Sequence, residues 1–214
     1  MTPERFQKIK KILNQREKDL TLILDNVNKP HNLAAMIRTC DAIGIGKIHA
    51  KSKNKTIGLN LKAASGSNHW VKVKIHNKLT NLYKKLKRGN HNIFVANNTS
   101  SAIDFRQVDY TNPSAIVMGA ELGGISKETL KYATKEIMIP LNGMVESLNV
   151  SVASAVILFE AKRQRELKNK HKKKPKSLED NNLLFELCYP QVSNILRQKG
   201  EAYPDLDERG EIVY

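Results

Sequence analysis

Cysteine is almost missing from this 214-residue chain. Cys40 and Cys188 are too few for a disulfide framework or a zinc set. No apolar run approaches the roughly 18 residues of a membrane span. The opening "MTPERFQKIKKIL" lacks the apolar centre and cleavage site of a secretory signal. Neither HExxH nor CxxC occurs, and the six histidines are scattered, which argues against a metal site. No local Ser–His–Asp signature is present either. These absences point to a cytoplasmic protein with no membrane partner and no metal.

Acidic residues are also scarce. Lys and Arg number 36 against 21 Asp and Glu, a net charge of +15. Residues 1–18 hold six basic residues against Glu4 and Glu17, and residues 160–176 hold nine against Glu160 and Glu166. The tail from 177 to 214 reverses sign, with eight acids against Arg197, Lys199 and Arg209. Two basic flanks form the kind of extended footprint that meets a polyanion, nucleic acid above all. The run "KNKHKKKPK" by itself is equally a solvated linker.

Between the flanks, strand and helix patterns alternate. Residues 3–18 space Phe6, Ile9, Ile12 and Leu13 along one face of a basic helix. Strands are expected at 20–27, 45–50, 70–75, 92–97, 115–119 and 136–141. Helices are expected at 31–44, 79–89, 127–133 and from about 149 to 168, with Ser126 capping the third. A Gly/Ser/Asn-rich stretch runs to Asn68. Such alternation predicts an α/β fold with a parallel sheet and helices on both faces. The apolar "LILDNV" and "AIVMG" suit strands buried on both sides. The division is a basic helical extension (1–19), a main domain (20–168) and a carboxyl-terminal extension (169–214), in which "LLFELCYPQVSNILRQKG" forms a small helix that docks back.

Ligands of open α/β sheets bind at loops beyond the strand carboxyl ends. Three loops qualify. In "DNVNKPHNLAAMIRT", Asn32 is either the N-cap of its helix or a ligand-facing group, and Arg38 is placed to pair with Asp41. In "MGAELGGIS", glycines permit close backbone approach, although the spacing is neither GxGxxG nor a P-loop. In "IPLNGMVESLNVSVASAVIL", a polar entrance leads into a helix of unusually small residues, Ser151, Ala153, Ser154 and Ala155.

At these loops the sequence resembles the SPOUT superfamily of RNA methyltransferases, and within it the TrmH family of tRNA (guanosine-18-2′-O)-methyltransferases. The first motif matches "NVNKPHNLAAMIRTCDAIGI", the second "IVMGAELGGIS" and the third "IPLNGMVESLNVSVASAVILFEAKRQRE", in that order, within a similarity running from about residue 3 to 170. The resemblance implies a carboxyl-terminal deep trefoil knot, a threading otherwise almost absent from proteins. It implies S-adenosylmethionine as methyl donor, tRNA as partner, and a homodimer. The activity implied is methylation of the ribose 2′-OH of guanosine 18. Alternatives are 2′-O-methylation of another tRNA or rRNA nucleotide, or a non-catalytic RNA-binding protein on the same scaffold.

Carried over by position, the catalytic residues implied are Asn32, Arg38, Glu121, Ser147 and Asn149. The donor pocket implied comprises Asn97, Gly119, Ile139, Leu141, Met144, Leu148 and Val150. His31, Arg163 and Arg165 fall where tRNA contacts are expected. Arg38 is the family's proposed base, but a guanidinium stays protonated. Its expected role is to stabilise the developing alkoxide and anchor a phosphate, with Asn32 orienting Arg38 or the ribose. Glu121 is expected to hold the knot loops by accepting backbone N–H bonds. The acidic tail departs from the purely basic extension that the family would lead one to expect.

Overall fold

Leu20–Asp25 form β1, and its alternate side chains are buried on both faces of a seven-stranded sheet. The computed structural model describes residues 1–52, 70–120, 123–168 and 178–213. The Gly/Ser/Asn-rich stretch, Glu121 and most of the "KNKHKKKPK" run lie outside the described residues.

After β1 come α2 (Pro30–Ile43), β2 (Lys47–Lys51), β3 (Lys72–His76), α3 (Thr80–Arg88) and β4 (Asn92–Ala96). Then follow β5 (Ile103–Asp104), a 3-10 turn at Phe105–Gln107, β6 (Ser114–Gly119), α4 (Lys127–Leu130), β7 (Lys135–Met138) and α5 (Val150–Leu167). The strands lie in the order β3-β2-β1-β6-β4-β7-β5, and every pair is parallel. The expected parallel α/β architecture is what the chain adopts. The two-residue β5 is too short to leave a sequence pattern.

Each sheet face has its own apolar layer. Leu22, Leu24, Phe94, Ile116 and Met118 pack against Leu33, Met36 and Ile37 of α2 and Ile157 and Leu158 of α5. On the opposite face, Ile23, Val95 and Val117 meet Leu82, Tyr83 and Leu86 of α3. The small residues of α5 are explained in part by its neighbour. The helix packs along α2, and Ser154 and Ala161 on its inner side are fully buried. Helix α2 stops at Gly44, left-handed at φ 89°, where Gly44 N–H and Ile45 N–H donate to the carbonyls of Asp41 and Cys40, a Schellman closure.

Asn32 is not the N-cap. Pro30 occupies the first helical turn, where its missing N–H costs nothing, so α2 starts earlier and Lys29 takes the cap position. Asn32 is thereby carried inside the helix and is buried. Ser126 does cap α4, its Oγ accepting from Thr129 N–H at 3.3 Å.

Residues 17–170 form one compact unit, and residues 1–16 with 171–214 form another. In the second, α1 (Pro3–Asn14) packs on α6 (Leu178–Cys188), and α7 (Pro190–Lys199) follows. The single helix expected here is two, because Pro190 disfavours helix at the residue before it. Phe185 stacks on Tyr203 with ring centroids 5.0 Å apart.

Candidate active site

The carboxyl ends of β4, β6 and β7 and the start of α5 enclose a cavity of about 690 Å³. Met118, Ile137, Val150 and Ile157 give it an apolar floor, while Asn97, Asn98 and Ser147 line it with polar groups. Glu146 is the one charged residue among the described residues lining it. Six of the seven expected pocket residues, Asn97, Gly119, Ile139, Leu141, Leu148 and Val150, are on this wall. Met144 is not. It stands fully exposed on the loop before α5, which has no periodicity to fix its direction.

Two hydrogen-bond systems shape the wall. Glu136 of β7 accepts from Asn97 Nδ2 at 2.7 Å, Thr99 Oγ1 at 3.1 Å and Ser101 Oγ at 3.3 Å, holding the loop after β4. The glycine loop leaves β6 at Gly119 and closes where Ala120 and Gly124 exchange backbone bonds of 3.1 and 2.9 Å. A Cβ on Gly119 would lie 2.6 Å from both C and O of Gly124, so only glycine fits this crossing.

The loop ends on Asp25, which the sequence did not single out beyond an acid terminating an apolar strand. Its carboxylate is buried and accepts from Ser126 N–H (2.9 Å), Ser126 Oγ (2.6 Å) and Thr129 Oγ1 (2.7 Å). Burial pushes its pKa up, but those hydrogen bonds and Lys51, 3.5 Å away, outweigh burial and hold it below the ordinary value.

The first and third motifs meet at the entrance to α5. Asn149 is its N-cap, with Oδ1 accepting from Ser151 N–H at 2.8 Å, and its Nδ2 donates to Asn32 Oδ1 at 3.2 Å. The two asparagines are thus bound to one another beside the lining residues Leu148 and Val150. Arg38 lies on the exposed side of α2 and makes no hydrogen bond or ion pair among the described residues, so neither Asn32 nor Asp41 fixes it. Burial pushes the Cys40 thiol up, which removes it as a nucleophile at neutral pH.

Of the expected RNA contacts, His31 is exposed at the start of α2. Arg163 is exposed and held by Glu160 at 2.7 and 2.8 Å. Arg165 is a correction. It is wholly buried, and its guanidinium bonds Glu17 (2.7 Å), Asp19 (2.5 Å) and the carbonyls of Tyr110 (2.8 Å) and Asn112 (3.0 Å). With its donors consumed inside the protein it cannot meet a phosphate. Conversely, Lys84, Lys85, Lys87 and Arg88 of α3 are all exposed, a further basic face whose signal in the sequence is the run "KKLKR".

Among the described residues no helix is long and apolar enough to cross a membrane, and no three metal-ligating side chains converge.

Comparison with known proteins follows the same outline. A family model described as SpoU rRNA Methylase matches residues 19–159, and one described as SpoU, rRNA methylase, C-terminal matches 163–214. The chain is 42% identical over 215 residues to a protein of Escherichia coli K12 named tRNA (guanosine(18)-2′-O)-methyltransferase, covering 99% of this chain and 94% of that one. The crystal structure of the TrmH/SpoU tRNA modifying enzyme of A. aeolicus superimposes with a TM-score of 0.82 at 35% identity, over 88% of this chain and 97% of the other. An AdoMet-bound rRNA methyltransferase from Sinorhizobium meliloti superimposes with a TM-score of 0.61 at 28% identity, over 71% and 59%.

Proposed function

The chain belongs to the SpoU rRNA methylase family, and from that membership we propose that it methylates the ribose 2′-OH of guanosine 18 in tRNA, using S-adenosylmethionine. The Asn32–Asn149 bond carries this reading, since it joins the first motif to the third at the edge of the cavity. High identity along nearly the whole chain to a protein of that name supports the target nucleotide.

The cavity suits the donor. Its volume falls within the roughly 300–1,000 Å³ of small-molecule sites. An apolar floor with a polar rim accepts an adenosine, and Glu146 gives the wall a negative charge that complements a cationic ligand. S-adenosylmethionine, when bound, supplies a methyl group on a positively charged sulfur. The protein must align the ribose oxygen with that methyl and stabilise negative charge on the oxygen as its proton leaves. Arg38 provides the cation for that oxygen, Asn32 and Asn149 orient the ribose, and Ser147 hydrogen-bonds substrate or donor. His31 and Arg163 bind phosphate, Arg163 by exchanging Glu160 for it.

Gly119 offers a direct check of the pocket. Gly119→Ala forces Gly124 or Ile125 to move and is expected to weaken donor binding at least tenfold by calorimetry, because a loop displaced by about 1 Å loses its fit.

The protein works as a homodimer in this reading. Val152, Val156 and Phe159 form an exposed apolar stripe on α5, and Met144 and Val145 extend it toward the cavity mouth. A second copy covering this stripe would set its own residues beside the site. Phe159→Glu is expected to shift sedimentation from dimer to monomer, since it places a charge in the interface. Unchanged sedimentation would remove α5 from the interface. The knot belongs to the same reading. The chain re-enters the sheet interior twice, with β6 between β1 and β4 and β7 between β4 and β5, as threading requires. A cytoplasmic location fits two cysteines that are both free.

The deciding experiment is nucleoside mapping of bulk tRNA from a deletion strain, with transfer to unmodified tRNA in vitro. Loss of 2′-O-methylguanosine at position 18 is expected. Retained methylation there, with loss at another nucleotide, would reassign the target. Donor binding without any transfer would make the chain a binding protein.

A further inference from the structure

Asp25 joins three stretches of chain distant in sequence. One carboxylate oxygen takes three hydrogen bonds from Ser126 and Thr129. The other accepts from Asn26 Nδ2 at 3.0 Å and faces Lys51. Asp25 also lies in register opposite Gly119, where the glycine loop departs. That loop therefore leaves the sheet beside Asp25 and returns to it seven residues later. Gly119, Ala120, Gly124 and Ile125, all between the two attachments, line the cavity. Asn26, left-handed at φ 62°, begins the turn that leads to α2 and hence to Asn32 and Arg38.

A buried carboxylate costs several kcal/mol in lost solvation before its partners compensate. Here the helix being capped is four residues long, and Ser126 already caps it without help. Stabilising so short a helix does not account for a charge at 0% exposure. Fixing the glycine loop does, because Gly119 and Gly124, which line the cavity, have no side chains with which to anchor themselves. Two hydrogen bonds to one residue also fix Ser126 in orientation as well as position.

We propose that Asp25 is a positioning residue for methyl transfer. Its carboxylate holds Ser126, so that the glycine loop keeps the cavity wall in place for the donor, and through Asn26 it keeps the turn into α2 in register with that wall. This rests on the methyl-transfer function proposed above.

The test is a double-mutant cycle between Asp25 and Ser126 on S-adenosylmethionine affinity, read by calorimetry with binding stoichiometry. Asp25→Asn and Ser126→Ala are each expected to weaken binding about tenfold at full stoichiometry. That is the low end for losing a charge-assisted hydrogen bond. The double variant should be no weaker than Asp25→Asn alone, and Ser126→Thr, which keeps the hydroxyl, should stay near wild type. A merely structural carboxylate would lower the melting temperature and leave the affinity per folded molecule unchanged, and that result overturns the proposal. If Asp25→Asn does not fold, Ser126→Ala decides: wild-type affinity in it overturns the proposal equally. A wild-type chain that binds no donor would overturn the function itself, and this inference with it.

Discussion

Replacing Arg38 by alanine is expected to lower methyl transfer by about 10²–10³-fold, the usual range for removing one preorganised group from a developing oxyanion. Folding should hardly notice, because Arg38 is exposed and unbonded among the described residues, and such substitutions stay within about 0.5 kcal/mol. Donor affinity should also be unchanged, since Arg38 is not among the residues lining the cavity. The combination is diagnostic, because loss of rate without loss of stability or donor binding places the residue at the oxygen that accepts the methyl group. Arg38→Lys refines the role. It keeps the positive charge but loses the planar fork that grips ribose oxygen and phosphate together. A pH–rate profile of that variant beside the wild type should show a reduced rate without a new ionisation in the neutral range. A lysine variant with near-normal rate would show that a point charge suffices.

Arg165 should behave in the opposite way. Arg165→Ala leaves Glu17 and Asp19 facing one another without their cation and strands the carbonyls of Tyr110 and Asn112. Breaking a buried pair on one side costs roughly 3–5 kcal/mol. At about 2–4 °C per kcal/mol for a protein of this size, the melting temperature should fall by roughly 6–20 °C. RNA affinity per folded molecule should stay constant. The guanidinium ties the last turn of α5 to the segment entering β1 and to the loop before β6, so its loss loosens the end of the motif-three helix. An alanine variant of normal stability but weak RNA binding would restore the original expectation for this residue.

The contrast between Arg163 and Arg165 shows what could be read in the sequence. Both are arginines of one basic run, and charge alone assigns them the same role. Helical geometry does not. Residues two apart point about 200° from one another, and Arg165 continues the buried series Val150, Ser154, Ile157, Leu158 and Ala161. Counting that series through the basic run would have placed it inside. Apolar runs marked the buried strands well, because a parallel strand covered on both faces has little alternation to confuse it. Of the two readings open for Asn32, capping fails at the first turn of α2, where Pro30 decides the start. Asp25 was invisible for a different reason. Its partners Ser126 and Thr129 are about a hundred residues away, and only the parallel pairing of β1 with β6 brings them together. Met144 and Leu148 sit on one irregular loop, where no period tells which side chain turns inward.

The place of β6 carries a consequence for how the molecule is made. β1 pairs with β6 from Leu20 opposite Ser114 onward, and β4 lies on the far side of the same strand. During synthesis β1 and β2 can pair early, but the central strand is delivered last but one. Until it arrives, β1 and β4 each present an open apolar edge that could pair wrongly or with another chain. Sheet closure must therefore wait for contacts nearly a hundred residues apart, which predicts slow folding with a late cooperative step. The cavity cannot exist before that step, since the end of β6 is one of its walls and the others, β7 and the start of α5, follow β6 in the chain.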